Sequence, residues 1–454
     1  MSKPQTSTPE RASASAIGRP IRPHPATPTV RSKTAIAALS RPCAAPAIAA
    51  RGADAPAARE GCMGPWGALA LLFSVRATMA FQFQSVASVG PTLLAAGAIG
   101  LADLGVLVGL YYAPGAAVAL PGGAAAARWG DRATILGGLA LMALGGAVMA
   151  AFPAWEAQVA GRVVSGVGGA VMNVLMSKMV ADRFAAKDLS LAMGLFVNSW
   201  PVGIAVCLLV APAVAEAGGA AAAYWTATGL VVAGLAAIAA LIPPTEGAAT
   251  GPAWRPPRGR LLWATLAAGA SWGAYNGALG MVFGFGPAML AERGLSAVAA
   301  GAATSVALWT MAAAIPLGGA LADRGGVRGA VLHGGFAAFA AGLLVAGAAA
   351  GTWLPPAVAF GALGLAGGLA AGPCMGLAGP PLSAETRAAG MGLFFTVYYV
   401  CVLASPLLGG WAAEAAGGAA GAFSAGAALL AVAAATALAS RRLCRPDREW
   451  ITAR

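Results

Sequence analysis

"GGALADRGGVR", residues 318–328, interrupts two long apolar runs with one Asp, two Args and four glycines. Residues 122–132, "GGAAAARWGDR", have the same length, open on Gly–Gly and end on Arg, 196 residues upstream. One such punctuation mark in each half of a 454-residue chain reads as a duplicated turn between helices.

The rest of the composition says what those helices stand in. The chain is 59% hydrophobic and 10% charged, where a soluble protein carries about 25% charged residues. A soluble core cannot hide that much apolar surface, so the solvent is lipid. The runs of Ala, Leu, Val and Gly show no alternation suited to a barrel. They read as helices that satisfy their own backbone. The formal net charge of +12 does not indicate a nucleic-acid partner: nine of the 28 Lys and Arg residues fall in the first 62 positions and most others in short loops. Cys43, Cys62, Cys207, Cys374, Cys401 and Cys444 show no CxxC or Cys/His spacing, and only His24 and His333 are available to partner them. We therefore expect no metal and no cofactor. No GxSxG, P-loop or HExxH pattern occurs, so no enzyme is expected.

Residues 1–62 are rich in Ser, Thr, Pro, Arg and Ala, with only Glu10, Asp54 and Glu60 as acids, and are expected to be a disordered basic extension. The Arg-rich, acid-poor make-up mimics a transit peptide; a floppy extension, or a start at Met63, suits the composition as well. Twelve apolar runs follow, near 66–88, 104–124, 134–152, 157–178, 189–212, 220–242, 261–288, 298–319, 329–350, 355–377, 388–410 and 418–439. Each is about the 20 residues a span needs. They divide into a six-helix bundle at 63–242, a polar Pro/Gly-rich linker at 243–260, a second bundle at 261–440 and a tail at 441–454. Loops after even-numbered spans carry Arg128, Arg132, Lys178, Arg183, Lys187, Arg255, Arg258, Arg260, Arg324, Arg328 and Arg387; loops after odd-numbered spans carry only Arg293. By the positive-inside rule both termini and the linker are cytoplasmic.

Gly319, Leu321, Ala322, Asp323, Arg324, Gly326 and Arg328, between spans eight and nine, closely resemble the signature loop of the major facilitator superfamily. The first copy keeps Gly123, Arg128, Gly130 and Arg132 but has Ala127 where the family has its Asp; Asp131 stands where the family prefers a base. "MGLF" at 193–196 and again at 391–394 gives a second repeat at nearly the same offset. The resemblance implies an all-α membrane protein of twelve transmembrane helices, built as two six-helix pseudo-repeats around a central cavity. It also implies that Asp323 and Arg324 latch the cytoplasmic ends of the halves against the start of span five. "FQFQSV", "LFVNSWPVG", "WGAYNG" and "MGLFFTVYY" resemble the bacterial cyanate- and nitroimidazole-transporter branch of that superfamily.

Two bases sit deep in the runs: Arg76 in span one and Arg162 in span four, where "RVVSGVG" is similar to a family motif. Charges at such depth cost about 2.5–3.5 kcal/mol on insertion scales. Each arginine reads either as a brace against backbone carbonyls or as an anion clamp, since the guanidinium fork suits carboxylate-like groups. Gln82 and Gln84 lie further along span one, on different faces. Asn198 and Trp200, then Trp272, Tyr275 and Asn276, then Tyr398 complete the expected pocket, an apolar body with a few oriented polar groups. No Asp or Glu falls in the middle of a span, so no midplane carboxylate is expected to carry a coupling proton.

These features point to a secondary active or facilitative transporter of a small anionic solute, a monomer in the lipid bilayer of a bacterial inner membrane. An exporter of drugs or metabolites is the nearest alternative, and a membrane sensor the alternative of another class.

Overall fold

The computed structural model describes residues 63–118, 128–184, 186–243, 256–322, 327–377 and 386–444. The expected extension at 1–62, most of the linker and most of the tail lie outside the described residues. What is described is almost entirely helical. The helices are α1 (Pro65–Ala95), α2 (Leu101–Leu110), α3 (Asp131–Ala151), α4 (Trp155–Ala181), α5 (186–218) and α6 (220–241). In the second half they are α7 (Gly259–Glu292), α8 (Ala297–Ala322), α9 (Arg328–Ala349), α10 (Pro356–Met375), α11 (Arg387–Ala415) and α12 (Ala420–Leu443). All twelve expected spans have a helix.

Three boundaries differ from the expectation, each for a local reason. Helix α1 runs past Ser88 to Ala95, carrying Pro91 inside it. The segment between α5 and α6 is no loop: Ala and Gly keep it helical until Gly219, where a left-handed backbone (φ 76°) turns the chain. Helix α2 is shorter than expected. At "YYAPG" its bonding tightens to three-residue steps (Tyr112 N to Gly109 O, Ala113 N to Leu110 O) ahead of Pro114, before helix resumes towards Val118.

Among the described residues ten stretches are long and apolar enough to cross a membrane; Ala192–Leu241 holds two spans, and α7 is the one helix not among them. Its sequence puts Ser271, Trp272, Tyr275 and Asn276 among glycines, which lowers its hydropathy. Every residue from Gly277 to Leu290 is buried, as is every residue from Met79 to Pro91 of α1. These two segments meet protein on all sides. Trp66 and Trp263 at one end of the bundle, and Trp155, Trp225, Trp353 and Trp411 at the other, are exposed, as interfacial anchors are.

The end that carries Pro65 and the loops after even-numbered helices is called the near end here, the opposite one the far end. In the first half α1 packs on α5 and α6, and α3 on α4; in the second, α7 packs on α11 and α12, and α8 on α10. Among the described residues the halves meet in the far half of the bundle, α2 on α11, α5 on α8 and α1 on α7. Two of these seams match residue for residue. A Cβ at Gly105 of α2 would lie 2.3 Å from the Pro406 carbonyl oxygen of α11, and one at Gly301 of α8 would lie 2.2 Å from that of Leu208 in α5. The loop offset of 196 turns 105 into 301, and the "MGLF" offset of 198 turns 208 into 406. Both seams are backbone on backbone, the approach that small residues give membrane helices.

Arg293, the lone base among the loops after odd-numbered spans, caps a helix. It donates to the carbonyls of Ala346, Gly347 and Ala350 at the C-terminus of α9, where the helix dipole favours a cation. Burial lowers its pKa from the usual arginine value.

Gly105→Val and Gly301→Val are each expected to lower the thermal unfolding midpoint in detergent, by overpacking worth about 1–3 kcal/mol. Gly137→Ala and Gly194→Ala, where an added Cβ meets nothing within 4 Å, serve as controls and should leave it unchanged. Equal midpoints for all four variants would show that the seams do not require glycine.

Candidate functional site

Pro201 organises the site. A proline has no N–H, so the carbonyl four residues earlier in the helix, that of Val197, has no helical partner. In hydrocarbon an unpaired carbonyl is costly. Arg76 of α1 supplies the donor. Its Nη1 donates to the carbonyls of Val197 and Phe196 and to Ser199 Oγ, all at 3.2 Å, and its Nη2 donates to Asn173 Oδ1 of α4 at 3.0 Å. The guanidinium carbon also lies 4.8 Å from the Phe196 ring centroid and 5.5 Å from that of Trp200, within cation–π range. Arg76 is half-buried, and its Nε has no partner. Among the described residues no carboxylate pairs with it; Asp131 and Asp182 pair with Lys178.

Around it stands an aromatic wall. Phe83 packs on Tyr111 and Tyr112 with centroids 5.1 Å apart, on Trp200 at 5.5 Å and on Phe283 of α7 at 6.0 Å. Tyr398 and Tyr399 of α11 lie within electrostatic reach of Arg76. The Tyr399 ring lies across Gly115, beyond the tightened turn that ends α2. Thus α1, α2, α4, α5, α7 and α11 all contribute.

Arg162 braces carbonyls as well, and does so fully buried. It is 1% exposed. Its Nε donates to Leu107 O at 2.8 Å, where α2 begins to tighten, and Nη2 and Nη1 donate to the Phe83 and Gln82 carbonyls of α1 at 3.0 and 3.4 Å. This ties α4 to α1 and α2 and leaves no face for a solute. Gln84 is also spoken for: its Nε2 donates to Phe283 O across the halves at 2.8 Å, and its Oε1 is buried without a partner.

The expected far wall turns partly inward. Tyr275 is buried, donates to Gly367 O at 2.9 Å and packs on Phe336 and Phe339, inside the second bundle. Trp272 stacks on Tyr275 at 5.5 Å and stays half-buried. Asn276 donates back to Trp272 O of its own helix at 2.8 Å. Asn198 is half-buried with its Oδ1 unpaired. So the structure brings Arg76, Trp200 and Tyr398 together, while Arg162, Gln84 and Tyr275 serve packing. Phe83, Asn173 and Ser199 join the site without having been singled out for it, and so does Tyr399, which the sequence offers beside Tyr398 in "FTVYYV". Phe83 carried a signal, since it stands inside "FQFQSV"; Asn173 carried only that of an amide in an apolar run.

Of the loop residues, Gly123, Asp323, Arg324 and Gly326 lie outside the described residues, and with them the expected latch. Gly130 takes a left-handed backbone (φ 83°) that glycine allows, and starts α3. Asp131 follows at the N-terminus of α3 and pairs with Lys178 at 2.7 Å, so the carboxylate absent at Ala127 is present four residues on. Arg132 donates to Ala239 O at 2.5 Å, Arg128 lies over Trp129, Gly319 has open space around it, and Arg328 lies against Gly376 beyond α10.

Removing Arg162 takes a donor from the buried Leu107 carbonyl where α2 tightens and cuts the tie to the Gln82 and Phe83 carbonyls, which keep their partners within α1. Arg162→Gln is expected to destabilise the protein by about 1–3 kcal/mol, from the cost of an unsatisfied buried acceptor, and Arg162→Lys is expected not to restore it because an ammonium lacks the fork. Thermal unfolding in detergent measures this; a wild-type midpoint for Arg162→Gln would exclude the bracing role.

A family model described as Major Facilitator Superfamily matches residues 72–283. No curated protein matches the chain. Solved structures do. A bacterial homolog of the human lysosomal transporter Spinster, inward-facing and unoccupied, is 15% identical, with 85% of this chain and 99% of that one covered and a TM-score of 0.68. An auto inhibited POT family peptide transporter is 15% identical over 83% and 97%, with a TM-score of 0.63. The human organic anion transporter MFSD10 is 16% identical over 81% and 98%, with a TM-score of 0.59. The chain therefore has the major facilitator fold, a fold of membrane transporters rather than of an enzyme, and residues 72–283 match that superfamily in sequence.

Proposed function

We propose that this protein moves a small anionic solute across a lipid bilayer by alternating access, as a secondary active or facilitative transporter acting as a monomer. The supporting observation is Arg76: a guanidinium eleven residues into α1, about 16 Å from its start, half-buried between the halves and paired with no carboxylate among the described residues. Trp200, Tyr112 and Tyr398 give its surroundings the apolar body of a solute site, and Arg76 Nε and Tyr398 supply donors. A small planar anion of the kind handled by the cyanate- and nitroimidazole-like branch suits that set.

With the basic loops in the cytoplasm of a bacterial cell, the near end is inner, and halves that meet at the far end correspond to the inward-facing state. The two bundles, 63–242 and 261–440, are the bodies that rock, with 243–260 joining them and the latch of Asp323 and Arg324 closing the opposite state. Every described carboxylate lies within about a turn of a helix end, from Asp103 of α2 to Glu414 of α11. The solute therefore runs down its gradient, exchanges with another anion or brings its own proton.

One observation favours a bracing role for Arg76 instead: both Nη atoms already have protein acceptors. A thermal-shift screen of purified protein with nitrate, cyanate, formate and benzoate separates the two. We expect at least one anion to stabilise the wild type and Arg76→Gln to weaken that binding roughly 10- to 100-fold, the worth of a charged hydrogen bond. A stabilising anion that binds Arg76→Gln equally well would remove Arg76 from the site.

A further inference from the structure

Helix α2 begins without a side chain to cap it. Its N-cap is Gly100, and the amides of its first turn have no partner within the helix. An N-cap Ser, Asp or Asn would accept from one of them with its own oxygen. Asp103, in that first turn, reaches back to the Gly100 N–H at 2.9 Å. The acceptor for the helix itself comes from the other half. Glu414 of α11 takes the Ala102 N–H on Oε1 at 3.0 Å. A Cβ on Gly100 would lie 3.1 Å from that same oxygen, so the carboxylate stands where an N-cap side chain would stand.

The position of Glu414 in its own helix fits this service to another. It lies in the last turn of α11, where the helix dipole disfavours a negative charge. At the N-terminus of α2 the same charge is favoured.

The second half builds the equivalent corner differently. The loop offset of 196 relates Gly100 to Ser296, and the "MGLF" offset of 198 relates Glu216 to Glu414. Ser296 precedes α8 and caps it from within, its Oγ accepting from Ala299 N at 3.2 Å. Glu216, in the last turn of α5, is exposed and makes no hydrogen bond or ion pair among the described residues. The helix that caps itself leaves the neighbouring carboxylate idle. The helix that has only Gly100 is capped across the seam.

We propose that Glu414 latches the far ends of the two halves together by capping α2 from α11. Parting this seam strips α2 of its cap, and Gly100 has no side chain to take over. The contact is the far-end counterpart of the latch assigned to Asp323 and Arg324 at the near end. It rests on the reading of the two bundles as rocking bodies, and not on Arg76 or on the nature of the solute.

Val108 of α2 is 2% exposed, and its side chain lies 4.0 Å from where a Cβ on Gly284 of α7 would stand, so the other half covers it. Full-length protein carrying Val108→Cys, in nanodiscs, is treated with a membrane-impermeant maleimide. The rate of modification at residue 108, followed by peptide mass spectrometry, reports how often the far end parts. Adding Glu414→Ala is expected to raise that rate roughly 2- to 30-fold, the range given by loss of a helix N-cap. Glu414→Gln is expected to raise it less, because the amide oxygen still accepts. Glu216→Ala is expected to leave it unchanged. Gly100→Ser added to Glu414→Ala separates a latch from a merely local cap. The serine caps α2 from within, so hydrogen exchange across 101–104 is expected to slow again while labelling stays fast. An unchanged labelling rate in Glu414→Ala, or slow labelling restored by Gly100→Ser, overturns the latch. Should Val108→Cys fail to fold, spin-label distances between Ala154 and Thr352, exposed at the far ends of the two halves, give the same reading. Residue 108 unreactive in every variant would remove the rocking of the bundles as well; residue 108 reactive at one rate with and without Glu414 removes the latch alone.

Discussion

Inside a bilayer no water repairs a broken helix, so each carbonyl released by a kink or a helix end needs a donor from the protein. Three arginines answer that need here. Arg76 meets the carbonyl that Pro201 frees in α5, Arg162 meets Leu107 where α2 tightens, and Arg293 meets the last turn of α9. One rule places all three, and their surroundings tell them apart. Arg293 sits at a helix end. Arg162 is sealed, with three carbonyls on its fork and the Phe83 and Tyr111 rings over it. Arg76 stands among aromatic rings from both halves, half-buried, with one nitrogen unpaired. The proposed anion site is at the arginine whose environment is incomplete.

The duplication goes beyond helix count. Gly105 on Pro406 and Gly301 on Leu208 are the same contact made twice, once in each direction across the pseudo-repeat. At the site itself the repeat is broken. Pro201 in α5 corresponds to Tyr399 in α11, and Trp200 to Tyr398. A kink whose freed carbonyl is met by Arg76 thus stands where the other half has a tyrosine. Symmetry governs the seams, and asymmetry marks the proposed solute site.

Much of the fold was legible because lipid imposes a simple code: run length gave the twelve helices, and the paired turns at 122–132 and 318–328 gave the repeat. What failed was local. The break in α2 depends on Pro114 and a tightened turn, which hydropathy does not register. The site was legible in part. Helical spacing correctly put Trp272 and Tyr275 side by side, but spacing does not say whether a face looks at the other half or into its own bundle, and Tyr275 turned to Gly367. Asn173 was invisible for a different reason. Its side-chain partner, Arg76, is 97 residues before it, and an Asn among Met and Val gives no pattern until the helices are placed.

The deep charges are also unevenly shared: both Arg76 and Arg162 belong to the first bundle, and among its described residues the second has none at that depth. In the proposed cycle a bound monovalent anion cancels the charge of Arg76, so the loaded carrier turns over with one deep charge, that of Arg162, and the empty carrier returns with two. Membrane voltage, worth up to about 2.3 kcal/mol per 100 mV for a charge crossing the full field, then acts more strongly on the return stroke than on the loaded one, and the electrical state of the cell becomes a control on turnover.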